Sequence, residues 1–333
     1  MQKYRIFAPG IEVWCNGSTT DFGSVCPGSN PGTSTIIMDR RTFIGIGAAS
    51  ALAAAGTTLE GKVPTAIKDL AKDNSLKIKF LGTGAASGRK NGKGRRHSSI
   101  LVDNSFLIDL TDNSLDMIPE GLHPGTIFYT HSHPDHFQPS AALKAGVQKV
   151  YLSHSWYDVA AKAYKEASKE LGVKMPEIVP TYFGQEVQVG EVTVTPLIAN
   201  HPTSNVMEES QIYLLSKGGV RLLYATDTAG IPGRSARRIG IDAHREGYGI
   251  TALIMEATMA DPDDFRLYCH SSTATVANTV RVLLKTDRLH MPAGQKVYIT
   301  HMAGSLHTAA ELSSLPDPIV AAEDGLEVIF REP

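Results

Sequence analysis

Thr126-Ile-Phe-Tyr-Thr-His131-Ser-His133-Pro-Asp135-His136 is the stretch on which the reading of this chain turns. An apolar run of buried-strand type passes straight into six residues, three of them histidines and one an aspartate. In an extended segment, His131 and His133 stand two residues apart and point the same way. Pro134 suits the first turn of a helix, which swings Asp135 and His136 toward a second point. One short segment can therefore feed two metal ions. Imidazole nitrogens with a few carboxylate oxygens suit zinc best, with manganese or iron as alternatives. A lone histidine is more often structural or solvated. With 12 histidines in 333 residues, however, such a cluster arises by chance with odds of roughly one in a thousand.

Outward from this segment, the chain reads as short strands and a few helices. Leu76–Leu81 alternates as a strand and ends in Gly82-Thr-Gly84. Ser99–Val102 and Ser105–Asp109 are strands joined by a turn at Asp103-Asn104. Glu191–Ala199, Gln211–Leu215, Val220–Ala225, Thr251–Met255 and Lys296–Thr300 are further strands, and Ser155–Leu171 and Thr273–Leu284 are helices. Hairpins alternate with strand–helix units, and no repeat is visible. The pattern suggests two sheets packed face to face with helices outside. Asp109, His131, His201, Asp227 and His301 each follow an apolar run and precede a loop, so strand ends along one edge can bring them together.

Composition sets the outer bounds. A chain of 333 residues with net charge -2 has length to bury a core and gives no electrostatic case for a nucleic-acid binder. No apolar run reaches the ~18 residues of a spanning helix. The cysteines, Cys15, Cys26 and Cys269, form no C-x-x-C pair and no disulfide framework, so any metal must be held by histidine and carboxylate.

The spacing of these residues resembles the metallo-β-lactamase superfamily over residues 76–333. Asp109 matches its first motif, His131, His133, Asp135 and His136 the second, His201 the third, Asp227 the fourth and His301 the fifth. The resemblance implies a four-layer αββα sandwich. It implies one metal on His131, His133 and His201, a second on Asp135, His136 and His301, Asp227 bridging them, and Asp109 supporting from behind. Zinc β-lactamases carry cysteine where this chain has Asp227, which argues against β-lactam hydrolysis.

Two further elements narrow the likeness. Gly82-Thr-Gly-Ala-Ala-Ser-Gly88 is similar to the opening of ribonuclease Z and of the cyclic-phosphate phosphodiesterases of phosphonate breakdown. No helix pattern follows it, so a dinucleotide loop is not expected, and the plain alternative is a tight turn. Met255-Glu-Ala-Thr258 and Cys269-His-Ser-Ser-Thr273 resemble paired elements of ribonuclease Z. On that resemblance His270 donates a proton to the leaving group and Glu256 orients it. The plain alternative is that Glu256 caps a strand and His270 the next helix. The chain lacks the Gly/Pro-rich arm with which ribonuclease Z grips tRNA, which puts tRNA processing in doubt. The basic run Arg89–His97 reads as a solvated loop, or as a source of cations for a phosphate or carboxylate near the metals.

The first 60 residues read differently. Residues 38–60 open Met38-Asp-Arg40-Arg41-Thr-Phe and continue into a mild Gly/Ala-rich stretch, which resembles a twin-arginine export signal cut near Ala53 to Ala55. Residues 1–37 precede it, where no such signal would place them, and Gly28-Ser-Asn-Pro31 back-translates to a sequence resembling a tRNA T-arm. The expectation is that Met38 is the true start, that 1–37 is a disordered non-native extension, and that 75–333 is the hydrolase domain.

The functional expectation is a binuclear hydrolase in which a metal-bridging hydroxide attacks a small phosphodiester or cyclic phosphate. A lactone or carboxylic-ester hydrolase and a non-catalytic metal-binding accessory protein are the alternatives. The expected partners are a small-molecule substrate and the twin-arginine export machinery, with no nucleic acid and no stable membrane insertion after cleavage. The expected place is the periplasm or beyond; a homodimer is compatible with the sequence.

Overall fold

A computed structural model describes residues 4–8, 11–15, 73–86, 94–242 and 248–333. In the N-terminal unit, β1 (Tyr4–Ala8) and β2 (Ile11–Cys15) pair antiparallel, Tyr4 opposite Cys15. The twin-arginine pair, the cleavage region and Met38 lie outside the described residues.

The second unit, Asp69–Pro333, is built on two seven-stranded sheets. The first contains β3 (Leu76–Gly82), β4 (Ser99–Val102), β5 (Phe106–Ile108), β6 (Thr126–Phe128), β7 (Lys149–Ser153) and β8 (Glu177–Thr181) in that order. The second runs from β9 (Val187–Val189) through β10 (Val192–Ile198), β11 (Gln211–Lys217), β12 (Val220–Ala225), β13 (Ala252–Glu256) and β14 (Val297–Thr300) to β15 (Ile319–Ala321). The last strand, β16 (Glu327–Phe330), returns to pair with β3 in the first sheet. Both sheets follow one plan. Three antiparallel pairings are succeeded by three parallel ones, the change falling at β5–β6 in the first sheet and β12–β13 in the second.

Side-chain alternation sorts the core into three layers. Leu76, Ile78 and Phe80 of β3 face Tyr213, Leu222, Tyr224 and Ile254 between the sheets. Leu81 and Leu101 point the other way, onto α1 (Pro139–Lys144) and α2 (Tyr157–Leu171). Leu223, Ala225 and Met255 point outward from the second sheet toward α4 (Thr273–Lys285), with α3 (Gly233–Ile239) and α5 (Ala309–Ser313) on the same flank. The helices have local reasons to form. On α2, Ala160, Tyr164 and Ser168 recur at i, i+4 and i+8 as the buried stripe, and Gly172 ends it at φ 66°. On α4, Ser272 caps the N-terminus by accepting from the Thr275 N–H.

The expected turn at Asp103-Asn104 has φ of 47° and 52°, the left-handed pair that matches strand twist in a two-residue hairpin. Gly82 has no room for a side chain: a Cβ there would stand 1.9 Å from the His97 carbonyl oxygen. The Gly82-Thr-Gly84 segment is therefore a close packing of strand end against the returning loop. Among the described residues, no helix is long and apolar enough to cross a membrane.

Candidate metal centre

The parallel strands bring their carboxyl ends to one edge, where open α/β sheets generally bind ligands. Asp109 follows β5, His131 follows β6, Asp227 follows β12, Glu256 ends β13 and His301 follows β14. Asp109, Asp227 and His301 all have positive φ, of 57°, 49° and 51°. Such backbone strain in non-glycine residues persists where the surroundings hold it and concentrates at functional sites.

Two compact donor sets result. In the first, His133 Nδ1 lies 2.9 Å from His131 Nε2 and 3.1 Å from His201 Nε2. In the second, His136 Nε2 lies 3.2 Å from His301 Nε2, 3.1 Å from Asp227 Oδ2 and 3.4 Å from Asp135 Oδ2. His301 Nε2 is 3.2 Å from the same Asp227 oxygen and 3.5 Å from Asp135 Oδ2. Ligands about 2.0–2.1 Å from a tetrahedral ion stand about 3.3 Å from one another, the spacing found here. The other Asp227 oxygen, Oδ1, faces the first set, 3.7 Å from His201 Nε2.

The protons on the rings show what these sets lack. His201 Nδ1–H donates to the Cys269 carbonyl at 3.1 Å. His136 Nδ1–H donates to Asp109 Oδ2 at 2.8 Å. Thr130 Oγ1 donates to Asp109 Oδ2, so it accepts from His131 Nδ1–H at 2.9 Å. Thr258 Oγ1 donates to Glu256 Oε2, so it accepts from His301 Nδ1–H at 2.8 Å. Each Nδ1 proton is thus directed outward, and four Nε2 lone pairs converge on the site. One proton on His133 can serve only one of its two neighbours. Three carboxylates, Asp109, Asp135 and Asp227, are buried here, and among the described contacts no lysine or arginine pairs with them. Buried charge needs a partner. Divalent cations at both sets satisfy the lone pairs and the carboxylates together, so the residues fit the metals expected.

The electrostatics agree. Burial, reinforced by His136, drives His131 well below its ordinary pKa, which keeps it a neutral ligand. Burial would raise Asp227, yet His301 and His136 hold it well below the carboxylate range. Burial would lower His136, but Asp227, Asp135 and Asp109 hold it well above its ordinary value. The carboxylates around His136 thus favour positive charge where a cation would sit.

Glu256 lies beside this centre, fully buried. Its Oε1 accepts from Thr228 N at 2.8 Å and from His270 Nδ1 at 3.0 Å, and its Oε2 accepts from Thr258 N at 3.0 Å and from Thr258 Oγ1. Burial would lower His270, but the Glu256 carboxylate raises it. Its ring packs 4.8 Å from that of His201, and Nδ1 is 3.8 Å from Asp227 Oδ1. A cleft of about 290 Å³ opens over His133, Asp135, His201, Asp227, His270 and His301. Its walls include Ala85, Ala86, Met259, Ala303 and Leu306. A larger groove, about 1050 Å³, runs along β7 and β9 and contains no such cluster, so the smaller cleft is where chemistry can occur.

Residues 100–302 match the family described as a beta-lactamase superfamily domain. The chain belongs to the beta-lactamase superfamily. Members of the superfamily are typically metal-dependent hydrolases, and the two mixed sheets flanked by helices are its fold. Among solved structures of this fold, a diphosphatase from the PhnP family is 20% identical, with 77% of this chain and 97% of that one covered at a TM-score of 0.55. Zn(2+)-bound PqqB from Methylobacterium extorquens is 17% identical, with 76% and 99% covered at 0.56. A long-form RNase Z from yeast is 14% identical, with 79% of this chain but 42% of that one covered at 0.50. At these identities the likeness shows the fold alone. No curated protein matches the chain by sequence.

All ten residues singled out in the sequence lie together at this edge: Asp109, His131, His133, Asp135, His136, His201, Asp227, Glu256, His270 and His301. The basic run behaves otherwise. Arg95 donates to Thr83 Oγ1 and the Ala322 carbonyl, and Arg96 pairs with Asp116, so both brace the frame; 87–93 lie outside the described residues. Arg266 at the cleft is held by Asp264. Three supporting residues escape sequence reading. Thr130 and Thr258 fix the tautomers of His131 and His301, and Glu208 binds Ser132 between His131 and His133. Thr130, adjacent to His131, and Thr258, at the end of the Met255–Thr258 element, carry a positional signal, and Glu208 carries none.

Proposed function

We propose that this chain is a two-metal phosphodiesterase that acts outside the cytoplasm on a small phosphodiester or cyclic phosphate, with zinc as the metal. The observation that carries the reading is the Asp227 carboxylate, one oxygen facing each donor set, with the Glu256–His270 pair beside it. His131, His133 and His201 would hold one ion, and Asp135, His136 and His301 the other. Bound divalent ions supply a water that is deprotonated near neutral pH and positive charge for the oxygens of the reacting group.

The remaining work falls to the chain. Asp227 orients what lies between the two sets. His270, whose pKa the Glu256 carboxylate raises, gives its proton to the departing alkoxide. Glu256 is satisfied by backbone and hydroxyl donors as well, so it holds the ring's position rather than taking its proton. The apolar wall of Ala85, Ala86, Met259 and Ala303 limits water around the leaving group.

That same wall, and the engagement of Arg266 by Asp264, favour a second reading: a lactone or carboxylic-ester hydrolase on the same centre. A substrate panel on metal-analysed protein tests both. Hydrolysis of bis(p-nitrophenyl) phosphate, lost in His133→Ala, is expected. Activity confined to lactones or aryl esters would overturn the first reading in favour of the second. Full metal occupancy without turnover on either panel would point to an accessory protein.

A further inference from the structure

Large apolar side chains stand in water on the loops that carry residues of the cleft. Val206 is 93% exposed and Met207 76%, on the loop that leaves His201. Phe265 is 81% exposed and Tyr268 63%, on the turn that leads into His270. Leu306, 37% exposed, lines the cleft itself. Single exposed apolar residues are ordinary, but several on the loops that carry the cleft residues His201, Arg266 and His270 point to a binding surface.

These loops are held in place. Glu208 Oε1 accepts from Ser132 N at 2.7 Å, and its Oε2 accepts from Ser132 Oγ at 2.7 Å and Thr203 Oγ1 at 3.0 Å. Asn205 Oδ1 accepts from Met207 N at 3.1 Å. The loop carrying Val206 and Met207 is thereby tied to the backbone between His131 and His133. The turn carrying Phe265 is capped by Asp264, which accepts from Arg266 N at 2.8 Å, and the Arg266 guanidinium carbon lies 5.7 Å from the Phe265 ring centroid. Arg266 in turn lines the cleft. Loops fixed to the catalytic frame keep their apolar tips outside, although nothing in their anchoring requires apolar residues there.

The cleft has about 290 Å³, at the lower end of the ~300–1,000 Å³ of pockets that enclose a drug-sized ligand. A phosphate or carboxyl head at the donor sets occupies the metal face of the cleft, and a long chain attached to that head runs out past Leu306, the exposed apolar residue in its wall. We propose that the rim binds the hydrocarbon chain of a single amphiphilic substrate whose polar head reacts in the cleft. This rests on the reading of the cleft as the reaction site, and it names the substrate class. The occupant is one molecule rather than an anionic bilayer, because Asp261 and Asp263 stand exposed beside Phe265 and would be repelled by one.

The test uses the metal-loaded full chain and a series of n-alkylphosphonates from methyl to decyl, each below its critical micelle concentration, with affinity read by calorimetry. Burial of methylenes on the rim tightens Kd by about two- to fourfold per carbon over the first several carbons. A Val206→Ser/Phe265→Ser double variant, checked for an unchanged melting temperature, is expected to flatten that dependence. Equal affinity for methyl- and decylphosphonate, absence of binding by both, or a full chain-length gain surviving in the variant overturns the proposal. So does binding to phosphatidylglycerol vesicles without chain dependence among the monomers. Hydrolysis of short- and long-chain alkyl p-nitrophenyl phosphates is measured in parallel. Loss of all turnover with chain-dependent phosphonate binding refutes the phosphodiesterase reading alone.

Discussion

Replacing Asp109 by asparagine perturbs both donor sets from behind while leaving every ligand in place. The side chain is fully buried, and asparagine tolerates the φ of 57° at this position. The carboxylate accepts three hydrogen bonds of 2.8 Å each, from Thr130 N, Thr130 Oγ1 and His136 Nδ1. An asparagine amide supplies one acceptor oxygen and one NH2, so whichever way it turns, at least one buried donor meets another donor. An orphaned buried donor costs about 1–3 kcal/mol. Loss of a supporting carboxylate behind a metal-bound histidine lowers metal affinity by about 10–100-fold. His136 is held by Asp109 directly, whereas His131 is held through Thr130. The second set therefore weakens by the larger factor and the first by less. Competitive titration with a chromogenic chelator resolves the two binding steps. Both steps unchanged within twofold, or the first weakened with the second intact, would refute this account of the centre.

Three further outcomes follow from the same geometry. In Glu256→Gln, His270 loses the carboxylate that raises it, so its pKa falls; because the acid form is the active one, the alkaline limb of the pH–rate profile moves to lower pH while metal content stays full. Acidification is expected to strip the metals, since His136 is held well above its ordinary pKa and protons compete for its Nε2; metal content by mass spectrometry after equilibration across a pH series should fall toward acid, and pH-independent retention would contradict it. Phe128→Ala removes a ring stacked 4.6 Å from Tyr151 and packed edge-on against Phe106 and Tyr213, which lowers stability by about 3–5 kcal/mol in denaturant titration with the site residues untouched.

The sequence is most legible where residue chemistry repeats at short range. His131 to His136 can be read because ligands of one kind crowd six positions, and the strand-end residues because each closes an apolar run. The inter-sheet layer is visible in the alternation of Leu76, Ile78 and Phe80. Other features depend on distance in the chain. Glu327–Phe330 does not stand out as a strand in the sequence, and nothing local says that it pairs with Leu76–Lys79 at the other end of the unit. Glu208 lies 76 residues from the Ser132 it holds. Arg95 and Arg96 sit in a run whose charge suggests a ligand, but a long side chain can reach many partners, and theirs are Thr83, Ala322 and Asp116. A basic run gives charge without direction, whereas a strand end gives both.

The two sheets share one plan, and each donor set draws on both of them. His131, His133, Asp135 and His136 come from the first sheet, and His201, Asp227 and His301 from the second. As the chain is synthesised, the first half presents pairs of ligands that lack their third member and the bridging carboxylate. Tight binding has to wait for the second sheet to close over the first. Metal content then serves as a record of completed assembly: a nicked, truncated or half-docked molecule should be recognisable by what it fails to hold.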